Sequence, residues 1–246
     1  MAKKIILFDV DGTLTRSGQK IEPDMVELLT HVKSLNEYEL GIVGGGTYDK
    51  IIWQLDLSKD IFTYIFAESG SIVYHNGIKI YEKNMLEFCN RGTLNKLIRT
   101  ALYEIASMPI VYHGNQIDFR KGLIYVSPPG IQATLYERNI FIDADSKYNI
   151  RSKLINKLKN IDFDKEFEIV KGGSVGIAIS PIGWNKSQVL THLNDYNIIY
   201  YFGDKVEPDG NDYPIYSHPD VKGIAVSDYI DTINKINIII DNKKNE

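Results

Sequence analysis

The stretch Ile6–Thr15, "ILFDVDGTLT", constrains this chain most, because it carries an apolar run directly into two aspartates. The run Lys4–Phe8 has the pattern of a parallel strand that is buried on both faces. Asp9 and Asp11 follow two residues apart, so in an extended chain their side chains share a face. Two such carboxylates stay ionised together only with a cation between them, which favours a Mg²⁺ site. An ordinary Asp-Gly turn explains these residues equally well.

Strand and helix alternate along the first third of the chain. Pro23 stands at a first helical position, and apolar residues then recur at helical spacing as far as Leu35. The segments "ELGIVGG" and "YIFAESG" read as further strands, with the helix "TYDKIIWQL" between them. Such alternation predicts an α/β fold with a parallel sheet. Asn76-Gly77, between two alternating runs, predicts a hairpin.

The regular alternation of strand and helix stops over residues 84–182. A helix along Leu94–Ile105, two strands around Lys121-Gly122 and a helix over Ser146–Asn160 indicate an α+β insert without parallel crossovers. The α/β alternation resumes with the predicted strand "IIYYFGD". We therefore predict a core domain of residues 1–83 and 183–246, and an inserted domain of residues 84–182.

Composition excludes several classes of protein. The formal net charge is −4, which disfavours binding to nucleic acid. Cys89 is the only cysteine, so an intramolecular disulfide is excluded and a cytoplasmic location is expected. The apolar run at the N-terminus meets Asp9 before a membrane span could be completed, so no contact with a membrane is expected.

Other polar residues also follow predicted strands. Gly44–Gly46 and Thr47 lie between a strand and a helix, where backbone N–H groups and a hydroxyl can cradle phosphate. Lys186 begins a predicted helix and could neutralise a phosphoryl group, although a lone lysine is usually solvated. Asp204 and Asp212 offer further oxygen ligands near the end of another strand. An aspartate that attacks phosphorus forms an aspartyl-phosphate, so these segments together favour phosphoryl transfer.

Four pieces in this order, "DVDGT", "GGGT", Lys186 and "GDKVEPDGND", resemble the haloacid dehalogenase (HAD) superfamily of phosphoryl-transfer enzymes. The segments "FAESGSIVYHNG", "IDFRKGLIYVSP" and "YERNIF" extend the similarity to the eukaryotic-type phosphomannomutases, from about Ile5 to about Thr232. This resemblance implies a Rossmann-like core with an inserted α+β cap. It also implies Mg²⁺-dependent transfer between C1 and C6 of a hexose phosphate, and a homodimer formed through the cap.

The resemblance assigns roles to particular residues. Asp9 matches the nucleophile and Asp11 the general acid/base, with Lys186 as the third catalytic group. Arg120 and Arg138 match cap arginines that bind substrate phosphate, a role that suits bidentate guanidinium groups. The remaining expected ligands are Gly45, Gly46, Thr47 and Arg16 for the substrate, and Asp9, Asp11, Asp204 and Asp212 for Mg²⁺.

Several family contact positions are altered. A substrate-binding arginine falls on Gly18, a cap arginine on Ile131, and the serine and aspartate that contact the sugar fall on Gly176 and Ala178. His218 stands where a second cation site has aspartate. A mutase must hold its substrate in two orientations, so such losses affect it more than they affect hydrolysis. The expected activity is interconversion of mannose 1-phosphate and mannose 6-phosphate, and the alternative is a Mg²⁺-dependent sugar-phosphate phosphatase.

Overall fold

The computed structural model describes residues 3–162 and 165–241. They form two compact units. The first comprises residues 3–82, 186–208 and 212–241, and the second comprises residues 83–162, 165–185 and 209–211. Residues 242–246, the end of the predicted core domain, lie outside the described residues.

The first unit is built on a seven-stranded sheet with the order β11-β10-β1-β2-β3-β4-β5. The five strands from β11 to β3 are parallel, and β4 and β5 are antiparallel. The strands are β1 (Lys4–Phe8), β2 (Glu39–Val43), β3 (Tyr64–Ala67), β4 (Ile72–His75), β5 (Ile78–Glu82), β10 (Ile198–Gly203) and β11 (Val221–Ala225). The predicted α/β fold with a parallel sheet is confirmed.

Helices flank this sheet and begin where the sequence provides a start signal. Pro23 occupies the first turn of its helix, and the Thr47 side chain caps the next one by accepting a hydrogen bond from the Lys50 N–H. The helices are α1 (Pro23–Ser34), α2 (Tyr48–Leu55), α6 (Tyr213–Tyr216) and α7 (Tyr229–Asp241). Lys186–His192 forms a 3₁₀ segment.

The central strand β1 is buried on both faces, as its apolar run predicts. Ile6 and Phe8 belong to one hydrophobic cluster, whereas Ile5 and Leu7 belong to another on the opposite side. All four side chains are inaccessible to solvent. The polar residues that follow this strand therefore begin at the edge of a rigid, fully packed sheet. The predicted hairpin is also confirmed, since Asn76 and Gly77 have positive φ between β4 and β5.

The second unit packs helices against one face of a four-stranded antiparallel sheet with the order β6-β7-β9-β8. Its helices are α3 (Arg91–Ala106), α4 (Leu135–Tyr148) and α5 (Ile150–Lys159), and its strands are β6 (Ile117–Phe119), β7 (Ile124–Val126), β8 (Phe167–Gly172) and β9 (Gly176–Pro181). Leu97, Leu158 and Ile177 illustrate the apolar cluster between the two layers.

The helix predicted over Ser146–Asn160 is wrong as a single element. Asn149 adopts a left-handed conformation with φ 53° and divides α4 from α5. Asparagine tolerates this conformation better than most residues, which explains the break at this position. Within the described parts of the chain, no helix combines the length and apolar character that a membrane crossing requires.

Candidate active site

Two adjacent parallel strands bring Asp9 and Asp204 to the same edge of the first unit's sheet. Asp9 directly follows β1 and Asp204 directly follows β10. The Asp9 N–H donates to the Phe202 carbonyl at 2.9 Å, so the pairing of the two strands continues to the first aspartate. In open α/β sheets, ligands bind outside the carboxyl ends of the strands, which is where these carboxylates lie.

The turn after Asp9 depends on Gly12. This residue has φ +86°, a conformation that strains a residue with a side chain. A Cβ atom there would also lie only 2.5 Å from Oδ2 of Asp204. Gly12 therefore serves both the backbone turn and the close approach of the second aspartate.

Asp212 completes a group of three carboxylates. One oxygen from each of Asp9, Asp204 and Asp212 lies within 4.8 Å of the others. Asp212 is fully buried, and its Oδ2 accepts a hydrogen bond of 2.9 Å from the Lys205 N–H. The Gly203 backbone approaches so closely that a Cβ there would lie 2.8 Å from Cγ of Asp212. The local backbone thus fixes the third carboxylate firmly.

Lys186 lies inside this group rather than in solvent. Its exposed fraction is 1%. Its ammonium donates to Oδ1 of Asp9 and, over 2.5 Å, to Oδ1 of Asp212. The usual expectation of a solvated lysine is wrong here, because two buried carboxylates supply the partners that a buried ammonium needs.

Charge in the group is only partly balanced. Burial is the main reason that the pKa of Asp9 is raised, to about 8, and the Lys186 ammonium opposes this rise. The charges of Asp212 and Asp204 add to it. Burial also opposes the ionisation of Asp212, but Lys186 and the hydrogen bonds from Tyr201 and the Lys205 N–H together lower its pKa. For Asp204, burial raises the pKa.

These residues fit a divalent cation. Three carboxylates share the group with the buried ammonium of Lys186, and the more exposed Lys205 ammonium pairs with Asp204. All of the donors are carboxylate oxygens, the ligands that hard cations such as Mg²⁺ prefer. A cation would offset the burial and the repulsion from Asp212 and Asp204 that together raise the pKa of Asp9.

The Asp11 carboxylate is held by a different set of partners. Lys50 Nζ donates to Oδ2 at 2.6 Å, while Gln54 Nε2 at 2.9 Å and the Gly18 N–H at 2.6 Å donate to Oδ1. Burial opposes ionisation, but the nearby Lys50 lowers the pKa of Asp11. Of the four expected metal ligands, the structure thus groups Asp9, Asp204 and Asp212. A metal-binding role for Asp11 stays a prediction.

The glycine-rich segment forms the turn between β2 and α2. The Gly46 carbonyl accepts a hydrogen bond of 2.9 Å from the Glu68 N–H. Space is open beside Gly45, since the nearest atom to a Cβ built there is Oγ of Ser69 at 3.9 Å. Thr47 uses its hydroxyl to cap α2. The segment therefore lies at the carboxyl edge of the sheet, next to a helix N-terminus, as a phosphate cradle requires.

The three predicted substrate arginines have protein partners. Arg16 donates to Glu22 at 3.3 Å and to the Tyr229 hydroxyl at 3.1 Å. In the second unit, the Arg120 Nε donates to Asp118 at 2.6 Å. Arg138 donates to the carbonyl oxygens of Ala133 at 2.8 Å and Ile131 at 2.9 Å. Their roles toward substrate stay predictions.

Sequence reasoning missed three residues of the first unit's site. Tyr201 is fully buried in β10, and its hydroxyl donates to Asp212 at 2.5 Å and lies 3.3 Å from Lys186 Nζ. Lys50 and Gln54 hold Asp11 from consecutive turns of α2. Their i,i+4 spacing places them on one face of the helix, a signal that the sequence does contain. A tyrosine within an apolar strand carries no comparable signal.

Comparison with known proteins identifies the family. Residues 25–242 match the family model described as eukaryotic phosphomannomutase. The phosphomannomutase of Babesia bovis is 36% identical over 241 residues, covering 96% of this chain and 97% of that protein. Phosphomannomutase 1 of Mus musculus is 35% identical over 237 residues, covering 94% and 90% respectively. The chain belongs to the eukaryotic phosphomannomutase family.

Solved structures show the fold of this phosphomannomutase family member. An IMP-bound, N-terminally truncated IMP-nucleotidase of Plasmodium falciparum has a TM-score of 0.66 at 15% identity, covering 98% of this chain and 68% of that chain. A trehalose-6-phosphate phosphatase related protein has a TM-score of 0.59 at 16% identity, covering 98% and 100%. At this identity the likeness concerns the fold, and the expected HAD fold is confirmed.

Proposed function

We propose that this phosphomannomutase family member interconverts mannose 1-phosphate and mannose 6-phosphate through an aspartyl-phosphate on Asp9. The observation that carries the proposal is the buried group of Asp9, Lys186 and Asp212, with Asp204 beside it. Relatives with the name phosphomannomutase match almost the whole chain, which supports an enzyme of this kind.

Asp9 attacks phosphorus with a carboxylate oxygen, and the bond between phosphorus and the sugar oxygen breaks. Lys186 holds the nucleophile in place and offsets charge as the phosphoryl group approaches. When bound by the carboxylates, Mg²⁺ supplies further neutralisation of phosphate charge. With Lys186 already paired with Asp9, the chain's own residues orient the nucleophile before substrate arrives.

Asp11 moves the proton. Lys50 lowers its pKa, so the resting carboxylate is ionised and suited to take a proton from the attacking sugar hydroxyl. In the opposite direction the protonated Asp11 donates to the leaving oxygen. The same residue thus serves both halves of a reversible transfer.

The substrate is a hexose phosphate whose non-reacting phosphate is bound by Arg120 and Arg138. Guanidinium groups suit this task because they bind phosphate oxygens in a bidentate manner. Gly45, Gly46 and Thr47 bind the reacting phosphate from the sheet edge, and Arg16 contributes from the loop after the first strand. We assign the first compact unit, predicted from the sequence as residues 1–83 and 183–246, to the catalytic core, and the second, predicted as residues 84–182, to a cap. In the structure, residues 83, 183–185 and 209–211 belong to the second unit.

A cytoplasmic homodimer formed through the cap belongs to the same proposal. Apolar side chains on the second unit support it, since Val111 is 72% exposed and Tyr136 is 75% exposed. Exposed aromatic side chains such as that of Tyr136 are enriched at protein interfaces. Light scattering of the purified protein tests this part, with a mass of two chains expected and a mass of one chain contradicting it.

The test of the activity follows both products by phosphorus NMR. Purified protein is incubated with mannose 1-phosphate, Mg²⁺ and a trace of hexose bisphosphate, and we expect mannose 6-phosphate to accumulate. Inorganic phosphate without mannose 6-phosphate would overturn the mutase and favour the phosphatase. As a control, Asp220→Asn removes a carboxylate whose side chain is 82% exposed, and we expect this variant to keep the parent rate.

A further inference from the structure

Tyr125 lies at the centre of the sheet face that is turned away from the second unit's apolar core. In the antiparallel sheet it pairs with Asp118 on one side and with Ala178 on the other, so the three side chains share a face. Gly176, two residues before Ala178 on β9, belongs to the same face. The flanking Ile124 points the other way, into the buried cluster with the helices.

The Tyr125 ring lies directly over Gly176. A Cβ atom built on this glycine would be 2.1 Å from Cζ of Tyr125. The tyrosine hydroxyl donates to the Gly172 carbonyl at 3.1 Å, which anchors the ring across the end of the β8–β9 hairpin. A ring in this position and a side chain at residue 176 therefore exclude each other.

Arg120 joins the ring from the neighbouring strand. Its guanidinium carbon lies 5.0 Å from the centroid of the Tyr125 ring, within the range of a cation–π interaction. Its Nε is fixed by Asp118 at 2.6 Å. A sugar attached to a phosphate on this guanidinium is within reach of the tyrosine ring.

We propose that Tyr125 determines sugar specificity by offering its ring as a floor on which the hexose stacks. The proposal rests on the proposed function, and in particular on binding of the substrate's phosphate by Arg120. At Gly176 and Ala178 the face has no polar side chain to read a sugar hydroxyl. Asp118, the polar side chain next to the ring, is held by the Arg120 Nε at 2.6 Å, so recognition here combines one phosphate ion pair with contact between the ring and the C–H face of the sugar.

Such a surface distinguishes poorly between epimers. Sites that hydrogen-bond a hydroxyl reject analogues by about 10⁴-fold or more, whereas apolar contacts discriminate by about 10- to 200-fold. We therefore expect mannose and glucose phosphates to be converted with kcat/KM values within about 200-fold of each other. A wild-type preference of about 10³-fold or more for either sugar would overturn the proposal.

Substitutions at Tyr125 test the role of the ring. Tyr125→Ala is expected to raise KM for both sugars by about tenfold with a smaller change in kcat, because stacking contributes to binding. Tyr125→Phe keeps the ring and stays close to wild type. Tyr103→Ala, a control on α3 with a side chain 73% exposed, leaves both constants unchanged. An unchanged KM in Tyr125→Ala contradicts the proposal.

A reciprocal pair of changes tests the steric exclusion. Gly176→Ser alone is expected to lower the melting temperature, because its Cβ collides with the ring. In the double variant Tyr125→Ala/Gly176→Ser the collision is removed, and the melting temperature returns toward that of Tyr125→Ala. A Gly176→Ser protein as stable as the parent would refute the placement of the ring.

Calorimetry with mannose 6-phosphate and glucose 6-phosphate separates this inference from the proposed function. If the protein binds both with similar Kd but converts neither, the mutase proposal fails while the stacking floor is supported. If it converts mannose phosphate but neither binds nor converts glucose phosphate, the mutase proposal holds and the stacking floor is overturned.

Discussion

The two compact units hold their polar groups in opposite ways. In the first unit, Asp9, Lys186 and Asp212 are buried and bound to one another at the edge of a packed sheet. In the second, Arg120 and Tyr125 lie half-buried on a sheet face beside a glycine and an alanine. Buried charges must keep their partners, whereas the loss of a side chain from a half-exposed face costs less stability. We therefore expect truncations in the buried group to cost more stability than truncations on the sheet face.

The largest effect is expected from Asp9→Asn, which removes the proposed nucleophile from the buried group of the first unit. Without a carboxylate nucleophile no aspartyl-phosphate forms, so we expect mutase activity to fall by about 10⁴-fold or more. Coupled measurement of mannose 6-phosphate checks this. A variant within tenfold of the parent would remove Asp9 from the reaction.

Next comes Lys186→Met, which removes the cation at the centre of the buried group. Two carboxylates then lose a buried partner, and the free energy of unfolding in urea should drop by about 3 kcal/mol in chelator. Added Mg²⁺ should recover part of this loss. The control Lys157→Met removes a surface pair with Glu104 and should change the free energy of unfolding by about 1 kcal/mol or less. Equal losses in the two variants would contradict the buried pairing.

A smaller effect is expected from Tyr201→Phe. The hydroxyl that fixes Asp212 is lost without a change of shape, and removing such a supporting hydrogen bond typically weakens metal binding by about tenfold or more. Calorimetric titration with Mg²⁺ measures this directly. Tyr200→Phe is the matched control, because that ring lies on the opposite side of the same strand and packs near Tyr38. Equal Mg²⁺ affinity in the two variants would show that the hydroxyl does not position Asp212.

The smallest effect concerns the pH dependence of stability without metal. The pKa of Asp9 is raised by burial to about 8 in the folded protein, well above its ordinary value in the unfolded chain, so between these two values the folded state binds more protons than the unfolded state. The Asp9 contribution to stability therefore falls as pH rises, by about 1 kcal/mol per unit near pH 6–7. Urea unfolding of the parent and of Asp9→Asn in chelator should differ by this slope, and parallel curves would contradict it.

Much of the first unit could be predicted from its sequence, because its signals are local. The apolar run before Asp9, the Asn76-Gly77 hairpin and the start of a helical segment at Lys186 all depend on residues near one another in the chain. The burial of Lys186 could not be predicted, since its partners are 177 and 26 residues away.

Less of the second unit's structure could be predicted from its sequence. The strands around Lys121-Gly122 were predictable from a turn signal, but Asn149 ends a helix inside a continuous helical pattern. The approach of Tyr125 to Gly176 depends on strand pairing across 51 positions, which no local pattern contains. Contacts between residues on strands that are distant in the chain could therefore be identified only from the three-dimensional structure.

The most direct test of the account is to locate the phosphoryl group during turnover. The protein is quenched with acid after brief incubation with mannose 1-phosphate and Mg²⁺, and its peptides are analysed by mass spectrometry. We predict an acid-stable, hydroxylamine-sensitive phosphoryl group on the peptide that carries Asp9, absent from Asp9→Asn. A phosphoryl group on another residue, or turnover without any phosphorylated peptide, would contradict the claim that Asp9 is the nucleophile.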